Sequence, residues 1–347
     1  MRESSSDDLI MFRKAENYID EAQLAQSSID DSVICNYGID YLDNVTLGIH
    51  PSELVLIGAK SGVGKTSLTE RIAIYNAEKG KKVAFFRLEG HKNEFGEKAL
   101  YNLAVKEYLS AGGHEKIGYE EFRMNKAPLL SKHVDNAAKI LKTCMETLFL
   151  YDKNKYRLTV ENIKDHILMC AGKVDLIIVD HIGFIDMLIG GYENENRGET
   201  AIMQAFSEAV EQYNIPVIMV SHIRKSIGKK GSLIPEADEF MGSSNKYKLS
   251  YTAIMLSPFY PQYDEKNLLY ATCFRIVKSR AGLSTQRVGM KVFDVRRQDY
   301  LPGYIVYRID WKAEDSLVLL ERKINYDWFE TEGIWKYRLY DQGRTDL

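Results

Sequence analysis

The sequence predicts an α/β protein with a mainly parallel central sheet flanked by helices, and three observations carry that prediction. From Glu53 onward, five short apolar runs alternate with stretches of helical periodicity. The first run opens directly into a glycine-rich turn and then a helix. After Tyr251 the texture changes to strand followed by strand, which predicts antiparallel hairpins extending the sheet.

Taken in order, residues Asp7 to Gln26 follow three serines and place Leu9, Ile10, Phe12, Ala15, Tyr18, Ile19, Ala22 and Leu24 at mostly helical spacing. This amphipathic helix fits packing on its own domain and docking on a neighbouring subunit equally well. LVLIG (54–58), VAFFRL (83–88), LFLY (148–151), VDLIIVD (174–180) and PVIMVSH (216–222) are apolar on both faces, as parallel strands covered by helices must be. The stretches from Thr66 to Lys79, Glu97 to Leu109, Asp135 to Thr147, Val160 to Cys170 and Thr200 to Tyr213 supply helices in a βαβα order. TAIML (252–256), LLYATCFRIVKSR (268–280), QRVGMKVFDV (286–295), GYIVYRID (303–310) and SLVLLE (316–321) then follow as antiparallel strands. The tail from Arg322 to Leu347 carries Trp328, Phe329, Trp335, Tyr337 and Tyr340, too many aromatics for a solvated tail, so it packs on its own subunit or on a partner.

Composition narrows the function classes. The 347 residues include 46 Lys+Arg against 49 Asp+Glu, a net charge of -3, and are 45% hydrophobic. Dominant disorder is excluded, and so is a protein that coats nucleic acid with its whole surface; any phosphate-binding surface must be concentrated. Cys35, Cys144, Cys170 and Cys273 are far apart and form no CxxC pair, so they read as reduced core thiols rather than zinc ligands or disulfides. The N-terminus lacks a basic segment followed by an apolar stretch, and no run reaches the roughly 18 apolar residues of a membrane span. The chain therefore reads as cytoplasmic, without a membrane partner.

The strongest chemical signal is LVLIGAKSGVGKTS, where a strand, a glycine-rich turn and a helix follow in the order a P-loop requires. The loop comprises Ala59, Lys60, Ser61, Gly62, Val63, Gly64, Lys65, Thr66 and Ser67. Gly62 and Gly64 let backbone N–H groups converge on phosphate oxygens, and the helix N-terminus adds positive potential. Lys65 is placed to bridge the β- and γ-phosphates of ATP, and the Thr66 hydroxyl to ligate Mg²⁺. Asp180, closing the VDLIIVD strand, is the second metal-side ligand. His181, next to it, reads as a packed imidazole or as support for the site. Glu89, ending FFRLEGH, is the candidate general base, on the expectation that its strand lies beside the P-loop strand.

These segments, in this order, resemble the hexameric replicative helicases of the RecA-like superfamily, the DnaB type and the bacteriophage primase-helicases. YGIDYLDNVTLGIHPSELVLIGAKSGVGKTS is similar to the family's approach to its P-loop strand, FRLEG to its glutamate strand and LIIVDHIGFID to its Walker B strand. VSHIRK resembles the strand ending in Gln or His, which implies His222 as γ-phosphate sensor. GSSNKYKLSYTAIML resembles the segment joining a DNA-binding loop to the next strand. FRIVKSRAG resembles the Lys-x-Arg strand, which implies that Lys278 and Arg280 act in trans on a neighbour's nucleotide. The likeness runs from about Tyr37 to Val295. It implies a RecA-like ATPase motor domain over 37–300 and does not cover the ends, which read from their own residues as an N-terminal helix and linker that could dock on a neighbouring subunit (1–36) and as C-terminal strands and aromatic tail (301–347). With only some 36 residues ahead of Tyr37, no primase domain or N-terminal helical domain is expected before the motor.

For nucleic acid, HIRKSIGKKGSL offers Arg224, Lys225, Lys229 and Lys230, four cations in seven positions, directly after the sensor strand. Against this, the other expected channel loop, 187–199, is acidic apart from Arg197, and Glu193, Glu195 and Glu199 would repel phosphates unless the asparagines and Tyr192 make the contacts and the acids face away. The reading is an ATP- and Mg²⁺-dependent helicase, a homo-oligomer in a hexameric ring, translocating on single-stranded DNA, with the tail open to a replication or loader protein. Its alternatives are a RecA-like regulatory or recombinase-type ATPase that remodels a partner without unwinding, and a loader or defence component in which the fold is an assembly scaffold.

Overall fold

The computed structural model describes residues 34–60, 62–185, 195–223, 244–258, 269–283, 285–295, 298–310, 316–324, 326–331 and 334–339, together with residues 19 and 23. The helix expected over Asp7 to Gln26 lies outside that set, as do the side chains of the aromatic tail.

A short helix α1 (Asp40–Thr46) precedes β1 (Leu54–Ala59). Helix α2 (Lys65–Glu78) leads to β2 (Val83–Arg87). Helices α3 (Glu94–Ser110), α4 (Tyr119–Arg123) and α5 (Ser131–Cys144) come before β3 (Leu148–Leu150). Then α6 (Ile163–Cys170), β4 (Leu176–Asp180), α7 (Glu195–Tyr213), β5 (Val217–His222) and α8 (Ser244–Leu249) follow. The later strands are β6 (Thr252–Pro258), β7 (Leu269–Ser279), β8 (Arg287–Asp294), β9 (Asp299–Tyr300), β10 (Gly303–Asp310) and β11 (Ser316–Ile324). Strands β12 (Tyr326–Thr331) and β13 (Ile334–Leu339) form a separate antiparallel pair.

One sheet runs in the order β11-β10-β8-β7-β6-β1-β5-β4-β2-β3, with β9 on β8. From β6 to β3 every pairing is parallel; from β6 to β11 every pairing is antiparallel, so the expected mixed sheet is present. The neighbour of the P-loop strand differs from the expected one. Strand β1 lies between β5 and β6, and β2 is two strands further out, beyond β5 and β4. The chain passes over the β5 and β4 positions before filling them, which local periodicity cannot reveal.

Period-2 alternation divides the parallel strands between two cores. Leu54, Leu56, Ile177, Val179, Val217 and Met219 pack with Ile163 and Ile167 of α6 and Phe206 and Val210 of α7. Val55, Ile57, Phe85, Ile178 and Ile218 face the other way, against Leu68 and Ile72 of α2 and Tyr41 and Leu42 of α1. Burying each such side chain contributes about 1.5–3 kcal/mol, and coverage on both faces is why these strands read as unbroken apolar runs. Helices α3 to α5 form an outer layer around Tyr101, Val105, Tyr108, Ile117 and Leu130. The short helices α1, α4 and α8 carry too few periodic residues to stand out in sequence.

The four cysteines are free, Cys35 and Cys273 buried and Cys144 and Cys170 half-buried. Burial pushes the thiols of Cys35 and Cys273 up to about 12. Among the described residues no helix is long and apolar enough to cross a membrane.

Candidate functional site

The carboxyl ends of β1, β2, β4 and β5 converge on the start of α2. Gly64 takes the left-handed conformation that opens α2, with φ 91°, and Gly62 has φ 81°. A β-carbon at either glycine would meet nothing within 4 Å, so the loop faces open space, and it is the backbone conformation that requires glycine. Lys65 is buried and its Nζ donates to the carbonyls of Ala59 at 2.9 Å and Lys60 at 2.8 Å. Burial lowers its pKa, while Asp180 and Glu89 oppose that shift. An incoming phosphate offers oxygens of higher charge than those two carbonyls. Ala59 is buried, Lys60 and Ser67 are exposed, and Val63 is half-buried; Ser61 lies outside the described residues.

Asp180 is 1% exposed. Its Oδ2 accepts from the Thr69 hydroxyl at 3.1 Å, whereas Oδ1 is buried without a hydrogen-bond partner. Burial raises its pKa, opposed by the hydroxyls of Thr66 and Thr69. An orphaned carboxylate oxygen next to a threonine hydroxyl on the P-loop helix is a set of hard oxygen donors that fits a hydrated divalent cation. Thr69, one turn after Thr66, was not singled out in sequence.

Glu89 stands just past the end of β2, its side chain 54% exposed, with Oε2 3.7 Å from His181 Nε2. His181 Nδ1 accepts from the Gly183 N–H at 3.1 Å, which places the ring proton on Nε2. That N–H then donates to His222 Nε2 at 3.1 Å, leaving the proton of His222 on Nδ1. Burial, then His222, Lys65 and Lys246, hold His181 down at about 4; burial and then Lys65 lower His222 as well. Both imidazoles are therefore neutral near pH 7. His181 thus stands between Glu89 and His222, hydrogen-bonded to His222 and 3.7 Å from the Glu89 carboxylate, a placement that its position beside Asp180 alone did not distinguish from simple packing.

The turn that presents Glu89 is clamped from two sides. Arg87 Nη1 donates to Glu89 O at 3.0 Å and His91 O at 3.3 Å, while Nε reaches Glu70 Oε1 at 3.1 Å and Nη2 reaches Glu94 Oε2 at 2.9 Å. Lys153 Nζ donates to Leu88 O at 2.9 Å and Gly90 O at 2.6 Å. Gly90 has φ 81°, and a β-carbon there would come within 2.7 Å of the Arg87 guanidinium. The sequence signal for this clamp was an arginine closing an otherwise apolar strand.

A cavity of about 720 Å³ opens from Gly62, Gly64 and Ser67 and runs between α2 and α3 toward Phe293 and Tyr300. Arg71, Lys106 and Asp299 line it, Asp299 pairing with Arg71 and, at 2.6 Å, with Lys106. A phosphate loop at one end and an aromatic wall at the other give room for a base and sugar, a feature assembled from segments far apart in the chain and invisible in any one.

Lys278 and Arg280 lie at the end of β7. Lys278 Nζ donates to the carbonyls of Tyr247, Lys248 and Ser250 of its own chain, each at 2.6 Å. Arg280 is exposed, with Nη2 3.3 Å from Lys248 O. Arg224, Lys225, Lys229 and Lys230 fall outside the described residues, as do 186–194 of the other channel loop. Glu199 takes the alternative left open for these acids, turned inward, but it is not a loop residue. It sits within α7, buried, paired with Lys246, because the helix begins earlier than its apolar periodicity indicated.

Comparison with known proteins agrees with this geometry. The family model described as the DnaB-like helicase C terminal domain matches residues 35–293. Replicative DNA helicase DnaB of Helicobacter pylori (strain ATCC 700392 / 26695) is 24% identical over 202 residues, covering 57% of this chain and 38% of that protein. The Mycoplasma genitalium replicative DNA helicase DnaB is 25% identical over 196 residues, 54% of this chain and 39% of its own length. This chain thus spans about two-fifths of the length of these relatives. Among solved structures, an ATPase domain solved on its own superposes with TM-score 0.65 at 17% identity, over 81% of this chain and 97% of that one. A DnaB-like replicative helicase, solved in a study of its interactions with primase, gives TM-score 0.64 at 16% identity, over 83% and 66%.

Proposed function

Since this chain belongs to the DnaB-like helicase C-terminal domain family, we propose that it is the motor of an ATP-dependent DNA helicase. It would couple ATP hydrolysis at subunit interfaces to translocation on single-stranded DNA and separation of the duplex ahead. The observation that carries this reading is the convergence of Lys65, Asp180, Glu89, His181 and His222 at the tips of four parallel strands around an open glycine loop.

Lys65, released from the carbonyls of Ala59 and Lys60, bridges the β- and γ-phosphates, and the amides around Gly62 and Gly64 hold the phosphate chain. Thr66 and Asp180 would hold Mg²⁺, which supplies neutralisation of phosphate charge. Glu89 accepts the proton of the attacking water, its turn held by Arg87 and Lys153. His222 senses the γ-phosphate by hydrogen bonding, its ring held by the N–H of His181. The cavity toward Tyr300 takes the base and ribose. Of the two strand-end cations, Arg280 is exposed and is the one to stabilise transition-state charge on a neighbour's nucleotide, with Lys278 beside it.

The active species on this reading is a cytoplasmic homohexameric ring. Arg224, Lys225, Lys229 and Lys230 contact the DNA backbone, and the 301–347 region, whose β12 and β13 form their own pair, is the place for a replication or loader protein. The two relatives named above, both replicative helicases, do not favour the partner-remodelling alternative.

The test is ATP turnover with and without single-stranded DNA, paired with native mass spectrometry of the nucleotide-bound sample. Strong stimulation by DNA in a ring-sized species is expected. DNA-independent turnover, or a persistent monomer with full activity, would overturn the translocating motor.

A further inference from the structure

Helix α8 is six residues long and is tied to functional strands on both sides. On one side Lys246, 6% exposed, pairs with Glu199 of α7 and donates to Ser221 Oγ at 3.2 Å. Ser221 is buried next to His222, and its hydroxyl donates to the His222 carbonyl at 3.1 Å. On the other side the Lys278 ammonium holds three carbonyls, of Tyr247, Lys248 and Ser250, and lies 5.3 Å from the Tyr247 ring centroid. The Tyr247 hydroxyl donates to Val277 O at 3.0 Å, and the Arg280 N–H to Tyr251 O at 3.1 Å.

A helix of this length does not sustain itself, so its position is set by these ties. The Lys246–Glu199 pair is also a poor choice for stability alone, because desolvating two charges offsets most of their attraction. What the pair does accomplish is to hold α8 against the strand tip that carries His222. The opposite side of the same short helix is gripped by the strand end that carries Arg280.

We propose that α8 is a strut that sets the Lys278–Arg280 end of β7 according to the position of His222, with Lys246 and Lys278 as its two positioning residues. A shift of His222 on its own nucleotide is thereby delivered to the cation presented to the neighbouring subunit's nucleotide. The inference rests on the site reading above and adds a route by which adjacent sites are coupled.

The experiment uses the full chain with ATP and a single-stranded oligonucleotide. Glu199→Met/Lys246→Met removes the tie without stranding a buried charge, Ser221→Ala removes one hydrogen bond, and Lys278→Met frees the far side. Each is measured for affinity toward a fluorescent ATP analogue, kcat, KM and Hill coefficient. The expected result for the double variant is an affinity within about twofold of the parent, a kcat about tenfold lower and a Hill coefficient falling to about 1. Ser221→Ala moves in the same direction by about threefold. Combining Glu199→Met/Lys246→Met with Ser221→Ala should lower kcat by about tenfold in all, not by about thirtyfold, since both act through one tie. Unchanged kcat and cooperativity in a folded double variant, or multiplicative losses in the combination, would overturn the strut. If the double variant fails to fold in a thermal melt, an unchanged kcat in Ser221→Ala overturns it instead. A parent protein with no ATP turnover overturns the proposed function; a parent that turns over ATP without cooperativity overturns the strut alone.

Discussion

In the parallel half of the sheet, ionisable side chains are confined to strand tips: Arg87, Asp180 and His222 are the last residues of β2, β4 and β5. In the antiparallel half, Arg275 and Lys291 sit inside β7 and β8, buried. The difference follows from what covers each half. Helices α2, α6 and α7 close both faces of the parallel strands, leaving no place for an ion except where the strand ends. In the antiparallel half the interior cations are consumed by structure. Lys291 pairs with Asp40 and donates to Gly303 O at 2.8 Å, and Arg275 Nε donates to Thr285 O at 3.2 Å. Among the tip groups Arg87 is likewise engaged, in holding the turn after β2, whereas Asp180 keeps an oxygen, Oδ1, without a partner. Interior charges bind the N-terminal segment and the sheet extension to the motor.

The comparison is broken most directly at Glu89. Glu89→Gln keeps the shape of the tip and removes its basicity, and ATP turnover should fall by about 10²–10⁴ with nucleotide binding retained. A retained turnover would remove the base from this tip.

Packing should separate the two halves nearly as sharply. Ile178→Ala in the doubly covered β4 is expected to lower the unfolding free energy by about 2–5 kcal/mol in urea titration. Leu319→Ala in β11, where Val318, Leu319 and Leu320 are all exposed, should change it by less than about 0.5 kcal/mol.

Asp180→Asn tests the claim that tip charge is kept for function at the expense of stability. Burial raises the pKa of Asp180, so its ionised form destabilises the free protein. The variant should melt a few degrees higher without nucleotide, by about 1 kcal/mol, yet lose the stabilisation that Mg²⁺ and nucleotide confer on the parent.

A further effect is a pH slope far from the site. Burial, opposed by backbone N–H groups of Tyr37, Gly38 and Ile39, raises Asp43 from 3.8 to about 6. With the folded pKa above the unfolded one, the native state binds more protons between those values, so stability falls as pH rises from about 4 to about 6. Asp43→Asn should flatten that part of the stability curve measured by denaturant titration. An identical slope in parent and variant would refute the assignment.

Much of the proposed catalytic set is legible in the sequence because each member sits where a strand's apolar run stops. Lys65, Thr66, Glu89, Asp180 and His222 all follow such a break. The residues that hold them are not. Arg87, Thr69 and Lys153 act through contacts with segments 17 to 111 positions away, as Arg87 with Glu70 and Thr69 with Asp180. Glu199 was read with the wrong neighbours for the same reason: its partner Lys246 is 47 positions on.

By itself, the sequence determined the α/β alternation, the glycine loop, the switch to antiparallel strands and the identity of the tip residues, because periodicity and turn chemistry act over a few residues. Tertiary structure alone decided that β2 lies beyond β5 and β4 from β1, that His181 hydrogen-bonds His222 beside Glu89, and that Lys246 backs the end of β5 through Ser221. It also opened the cavity between the P-loop and Tyr300. Strand order and buried charge pairing depend on which distant faces meet, and that is settled by the shared burial of whole elements rather than by any local pattern.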